Sequence, residues 1–223
     1  MAVSSLQSCS TGDAMVAESA ARPDLDQLFA DLAHPNPYIQ TQAFTAMAEH
    51  WPEASMPRLI ALLDQPNVAL RRASVRGLGA FGERSMQPIA DCFTSSDDGT
   101  VRASCVKAYA QLASNYPELP FTPQAMEVLR LALADDSPVV AVAAVMALGQ
   151  VGRQAVPLLL GVTRGDNPAQ GVAAVNALAE IDDPSIERGL QDLKDDPDTD
   201  GYVKETVVSA LMRVKDLQAR HPS

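Results

Sequence analysis

The sequence predicts an all-α chain, an α-solenoid of about six two-helix repeats. Three observations lead there. Hydrophobic residues make up 47% of the 223 residues but aromatics only 4%, and Ala, Leu and Val dominate, a composition suited to close-packed helices rather than to a β-sandwich or barrel. A helical segment recurs six times, beginning at Ile39, Leu70, Val101, Val140, Gln170 and Val203. Polar turns, HPNPY, DQPN, SSDDG, DDSP, GDNP and DDPDTDG, precede these segments, and their Pro, Asn, Asp and Gly residues stop one helix and cap the next.

The recurrence is positional. The fifth residue of each segment is Ala43, Ser74, Cys105, Ala144, Ala174 or Val207, and the eighth is Ala46, Gly77, Ala108, Ala147, Ala177 or Ala210. The ninth is Met47, Leu78, Tyr109, Leu148, Leu178 or Leu211. Positions one, five and eight share a helical face, where small side chains let a partner helix come close. That partner precedes each segment: Pro57, Pro88 and Pro157 stand 13 residues before Leu70, Val101 and Gln170, where proline suits the first turn of a helix, and apolar runs such as RLIALL and LLLGV follow.

Residues 1–23 are expected to form a loose or short-helical extension, 24–216 the repeat domain, and 217–223 a tail. Successive segments start 31, 31, 39, 30 and 33 residues apart, so one interval is longer. It contains SNYPELPFTP, with three prolines and the aromatics Tyr116 and Phe121, and predicts a rigid loop between repeats rather than a domain boundary. Trp51, between His50 and Pro52, is expected to pack over the first inter-repeat junction.

A net charge of -11 argues against nucleic acid as a partner, because phosphate binding needs a continuous basic surface. Cys9, Cys92 and Cys105 have neither CxxC spacing nor neighbouring histidines, so no zinc site or disulfide framework is indicated. The first 23 residues lack a basic start and an unbroken apolar segment, so neither a signal peptide nor a transit peptide is expected. No stretch is expected to reach the roughly 20 apolar residues of a membrane span. A cytoplasmic protein is the expectation.

Two candidate chemistries read as structural. Asp196–Gly201, DPDTDG, matches the first half of a calcium loop, but its twelfth position is Val207 rather than a bidentate Glu, so helix capping is expected and no metal. Cys92 and Cys105 fall on the two helices of one hairpin and read as neighbouring buried thiols. His34, His50 and His221 lie at turns or the terminus, and no catalytic set follows from their spacing.

HPNPYIQTQAFTAMAE, RRASVRGLGAFG, NYPELPFTP, SPVVAVAAVMALG and DNPAQGVAAVNALAEI resemble the HEAT-type repeats of the cyanobacterial phycobilin lyase E/F family, over roughly residues 25 to 214. The similarity is greatest to members encoded with phycoerythrin. It implies a bilin lyase subunit or a chaperone-like accessory that assists attachment of a phycobilin, phycoerythrobilin in those members, to a cysteine of a phycobiliprotein. The implied partners are that phycobiliprotein subunit and a second HEAT-repeat lyase subunit, with the bilin as transferred ligand and no tightly bound cofactor. A sister HEAT-repeat protein implies the alternative: a protein-binding scaffold for an iron–sulfur cluster assembly protein. Neither brings a catalytic motif, and the catalytic residues are unknown.

Positions three and seven of each segment point away from the core and line the inner side of a curved solenoid. Arg72, Arg76 and Lys107 make this surface basic in repeats two and three, and Val142, Met146 and Val172 make it apolar in repeats four and five. That suits a ligand with carboxylates at one edge and an apolar conjugated body. The other reading is a solvated basic face paired to Asp64, Asp97 or Asp98. Arg71, at position two, points towards the next repeat and reads as a structural pairing residue.

Overall fold

The small-residue columns are where the chain packs on itself. The computed structural model describes residues 22–220, and among them are twelve α-helices and no strand. They form six hairpins: α1 (Leu25–Asp31) with α2 (Pro37–His50), α3 (Pro52–Ala61) with α4 (Val68–Gly79), and α5 (Met86–Ser95) with α6 (Gly99–Asn115). The row continues with α7 (Pro123–Leu133) and α8 (Pro138–Val151), α9 (Val156–Val162) and α10 (Pro168–Leu178), and α11 (Pro184–Asp195) and α12 (Gly201–Arg220). The even-numbered helices are the six recurring segments. Their fifth and ninth residues are all buried, as are Gly77, Ala108, Ala147 and Ala210 at the eighth, while Ala46 and Ala177 are half-buried.

Second helices stack more closely on one another along the row than first helices do, so the even-numbered helices form the inner wall. At the seams glycine allows the approach. A Cβ on Gly149 would sit 3.1 Å from the Cβ of Ala177, one on Gly171 2.9 Å from Val203, and one on Gly79 2.5 Å from the Gln111 side chain. Five of the six second helices start on a side-chain cap in the same column: Asn36, Asn67, Asp98, Asn167 and Asp200 accept from the N–H groups two or three residues on. Asp196 accepts from the Asp198 N–H, so the acidic run before α12 works as turn and cap, as expected.

Three expectations are corrected. Pro57 lies inside α3, because that helix already starts at Pro52; the helix survives since the bond it forfeits is to the Glu53 carbonyl in the first turn. Helix α12 continues to Arg220, past 216, with Val214 still buried on its core side. Residues Pro138–Val162 are long and apolar enough to cross a membrane, contrary to the sequence reading, yet they are not one helix. Gly152, at φ +76, ends α8, a 3-10 turn follows over Gly152–Ala155, and half of the apolar stretch is buried within the solenoid.

The first repeat is closed by Trp51, whose Nε1 donates to the Pro23 carbonyl at 2.8 Å while the Arg22 guanidinium stacks 3.3 Å from its ring. Packing therefore already begins at Arg22, inside the stretch expected to be an extension; Cys9 and His221 lie outside the described residues. Since Ala147 is fully buried against the neighbouring helices, Ala147→Phe should cost about 1–3 kcal/mol through overpacking. Equilibrium urea unfolding checks this: an unchanged midpoint would mean that the column does not face the core.

Candidate ligand-binding face

Polar side chains join neighbouring repeats along two edges, and what they leave uncommitted defines the candidate site. On the turn edge the joints come from position two. Arg102 holds Asp135 of the next repeat through Nε at 2.7 Å and Nη2 at 3.0 Å, and donates also to the Ser96 carbonyl at 3.2 Å. Asp135 accepts the Ser137 N–H as well, and Ser137 is the one N-cap of a second helix, α8, whose own side chain makes no capping bond. Two guanidinium hydrogen bonds hold the Asp135 carboxyl below the usual carboxylate range. Arg71 donates to the Gln65 carbonyl of its own turn at 2.6 Å.

On the opposite edge the junctions are tied in sequence. Asn115 donates to the Gly79 carbonyl at 2.9 Å and Tyr116 to the Ala80 carbonyl at 2.7 Å. Phe121 and Gln154 exchange two bonds, 2.9 and 2.8 Å. Arg153 meets Asp182 at 3.0 Å, and Arg213 reaches Glu180 and Asn176. The proline-rich stretch between α6 and α7 is thus pinned on both sides, with Phe121 edge-on to the buried Tyr109 ring. Burial pushes the Tyr109 hydroxyl well above its usual range, and it donates to the Met86 carbonyl.

The six predicted site residues fare differently. Arg72 and Lys107 are exposed, and among the described residues neither makes an ion pair, so pairing to Asp64, Asp97 or Asp98 does not occur there. Arg76 is half-buried and committed: it donates to the Gln40 side chain, which in turn donates to the His34 carbonyl at 2.6 Å. It therefore joins repeats one and two, a role the sequence assigned to position two. Val142 and Met146 on α8 are 50% and 65% exposed, and Val172 on α10 is half-buried beside them. At position three of α6 the expected outward orientation fails, since Ala103 is buried where α6 and α8 stack most closely.

A depression of about 650 Å³ gathers one of these six residues, Arg76, with Thr41, Phe44, Glu49, Gln111 and Tyr116. Sequence reasoning missed it. The signal available was Gln111, one helical turn beyond Lys107 on the same face of α6.

The two cysteines of the third hairpin are neighbours as the spacing implied, but only one of them is buried. Cys105 is fully buried and Cys92 half-buried. Interaction with the neighbouring Cys105 thiol lowers the Cys92 thiol from its ordinary value, and the same interaction together with burial raises Cys105.

The HEAT-repeat family model matches residues 25–110 and 125–212, two blocks separated by the pinned loop. The bilin biosynthesis protein CpeZ of Synechococcus sp. (strain WH8020) is 36% identical over 181 residues, spanning 78% of this chain and 97% of that protein. This chain belongs to the HEAT-repeat proteins of the phycobilin lyase E/F family. The uncharacterized phycocyanin operon protein Z of Pseudanabaena tenuis (strain PCC 7409) is 38% identical to this HEAT-repeat protein over 194 residues, 86% of this chain and 95% of the relative. Among solved structures, Escherichia coli YibA superposes with a TM-score of 0.51 at 16% identity, covering 89% of this chain and 76% of that one, which shows the shared solenoid fold. The CpcE–CpcF complex of the phycocyanin lyase from Nostoc sp. PCC7120 aligns at 21% identity and a TM-score of 0.39, over 83% of this chain and 96% of that one.

The Arg102–Asp135 joint has a pH signature. Because the folded-state carboxyl is depressed, its contribution is present above the unfolded value and is lost as the pH falls through the folded one. Asp135→Asn should lose about 1–2 kcal/mol at pH 7, and its deficit relative to wild type should shrink as the pH drops towards about 3. Urea unfolding at several pH values measures it; a deficit that stays constant down to that pH would show that the charge pair contributes nothing.

Proposed function

We propose that this protein holds a linear tetrapyrrole on its inner wall while the chromophore is attached to a cysteine of a phycobiliprotein subunit. It acts as a lyase subunit or chaperone-like accessory, together with a second HEAT-repeat lyase subunit. Phycoerythrobilin is the chromophore the family resemblance favours. One observation carries the reading: the exposed, uncommitted cations Arg72 and Lys107 stand on the same wall as the exposed Val142 and Met146. Propionates find the cations and the conjugated body finds the apolar strip. The names of the two sequence relatives support it, since one is a bilin biosynthesis protein and the other a phycocyanin operon protein.

The chemistry asks little of the holder. The acceptor thiolate adds across an exocyclic double bond of the bilin, and the neighbouring carbon takes up a proton, so the yield of the correct product depends on which face and conformation is presented. Arg72 and Lys107 fix one end through charge-assisted hydrogen bonds, and Val142, Met146 and Val172 remove the ring system from water. Arg76 contributes indirectly, by fixing the first repeat against the second.

The test is the visible spectrum of a bilin titrated with purified protein, followed by attachment assays with the apoprotein. Wild type should shift and sharpen the absorption. Arg72→Glu and Lys107→Glu should each weaken binding about five- to tenfold, as expected for exposed charge pairs of about 1 kcal/mol. Arg84→Glu, an exposed control with the same charge change, should bind like wild type. Arg76→Glu should lower the unfolding midpoint as well. An unshifted spectrum would sink the proposal and favour a scaffold for an iron–sulfur cluster assembly protein, detected by co-purification.

A further inference from the structure

We infer that the outer face of α12 is a self-complementary docking face that takes a second copy of this chain, the two helices running antiparallel about a two-fold axis near residue 210. The inference does not depend on the bilin reading.

The column pattern supplies the first argument. At position six of the second helices stand Phe44, Val75, Val106, Val145 and Val175, and in the last repeat Val208. The first five are buried or half-buried under the neighbouring repeat, whereas Val208 is 51% exposed. Position ten holds Ala48, Gly79, Ala110, Gly149 and Ala179, none of them exposed, but Met212 in α12 is 61% exposed. Among the described residues no helix covers this pair. The surface that joins every other repeat to the next is thus present, in apolar form, on the last helix.

Charge supplies the second argument and selects the occupant. Flanking Val208 and Met212 on α12 are Lys204, half-buried with its Nζ donating to the Pro197 carbonyl at 3.2 Å, and the exposed Glu205 before them, and after them Lys215, exposed and 3.7 Å from Glu187 of α11, and the exposed Asp216. Antiparallel pairing about residue 210 sets Val208 against Met212 of the other copy, Lys204 against Asp216 and Glu205 against Lys215. Every charge meets its opposite, and by symmetry each pair occurs twice. At 1.5 Å rise per residue, the outer charges lie roughly 9 Å either side of the axis, well within the length of α12. Parallel pairing would instead set Lys204 against Lys204 and Asp216 against Asp216. One helix pair with side-chain flanks buries less than the roughly 1,200–2,000 Å² of a stable interface, so the association is weak and dependent on concentration.

Sedimentation equilibrium of the full chain over a wide concentration range, at low and moderate salt, tests this. Wild type should pass reversibly from monomer towards dimer, more readily at low salt. Met212→Glu should stay monomeric while keeping the wild-type helical signal, because the side chain is exposed. Asp216→Lys should weaken the dimer at least several-fold, and the double variant Lys204→Asp with Asp216→Lys should restore it, which only the antiparallel register explains. A wild type that remains monomeric throughout would overturn the inference. So would a dimer indifferent to Met212→Glu, or growth beyond dimers, which would mean head-to-tail stacking of repeats.

Discussion

Close approach of the second helices is the constraint on which the rest of the structure depends. The eighth residue of each is Ala or Gly, and Gly149 and Gly171 are in places where a single added methyl group would meet the next repeat at 3.1 and 2.9 Å. Side chains this small contribute little apolar area themselves. Their effect is to let Leu78, Tyr109, Leu148 and Leu178 reach across and bury completely. The same closeness makes the inner wall a continuous surface rather than a set of separated ridges, and so allows cations on α4 and α6 to share one face with apolar side chains on α8.

Much of this was legible because it is periodic. Caps, small residues and large apolar residues recur in register, and repetition averages out the ambiguity of any one segment. What was not legible depends on pairing between repeats. Arg72 and Arg76 are four residues apart on one helix and look equivalent in sequence, yet one is uncommitted and the other is bound to Gln40, 36 residues away. Likewise Ala103 is buried because α6 and α8 approach unusually closely, not because its position in the helix differs from that of Arg72. The depression beside Arg76 gathers residues from three repeats, and no linear pattern in the chain marks it.

The distribution of charge follows from the same economy of joints. The acidic residues that give the chain its net charge of -11 concentrate in the turns, where they cap helices and hold arginines. Asp135 shows the compromise: it serves Arg102 and the Ser137 N–H at once, and α8 starts without a side-chain cap of its own. Arg72 and Lys107 on the inner wall are, among the described residues, two of the exposed cations left without an ion pair.

The pinned stretch between α6 and α7 bears on how the molecule comes apart. A linear array whose repeats touch only their neighbours can fray from one end or split at its weakest seam. Here the longest insertion falls at the middle, between the two blocks of three repeats, where a split would be easiest. But the insertion is bonded backward through Tyr116 to Ala80 and forward through Phe121 to Gln154. Parting the blocks means breaking both sets of bonds and exposing the Tyr109–Phe121 contact together. Slow amide exchange in α6 and α8 should therefore share one opening event, so that the array behaves as a single cooperative unit despite its modular origin.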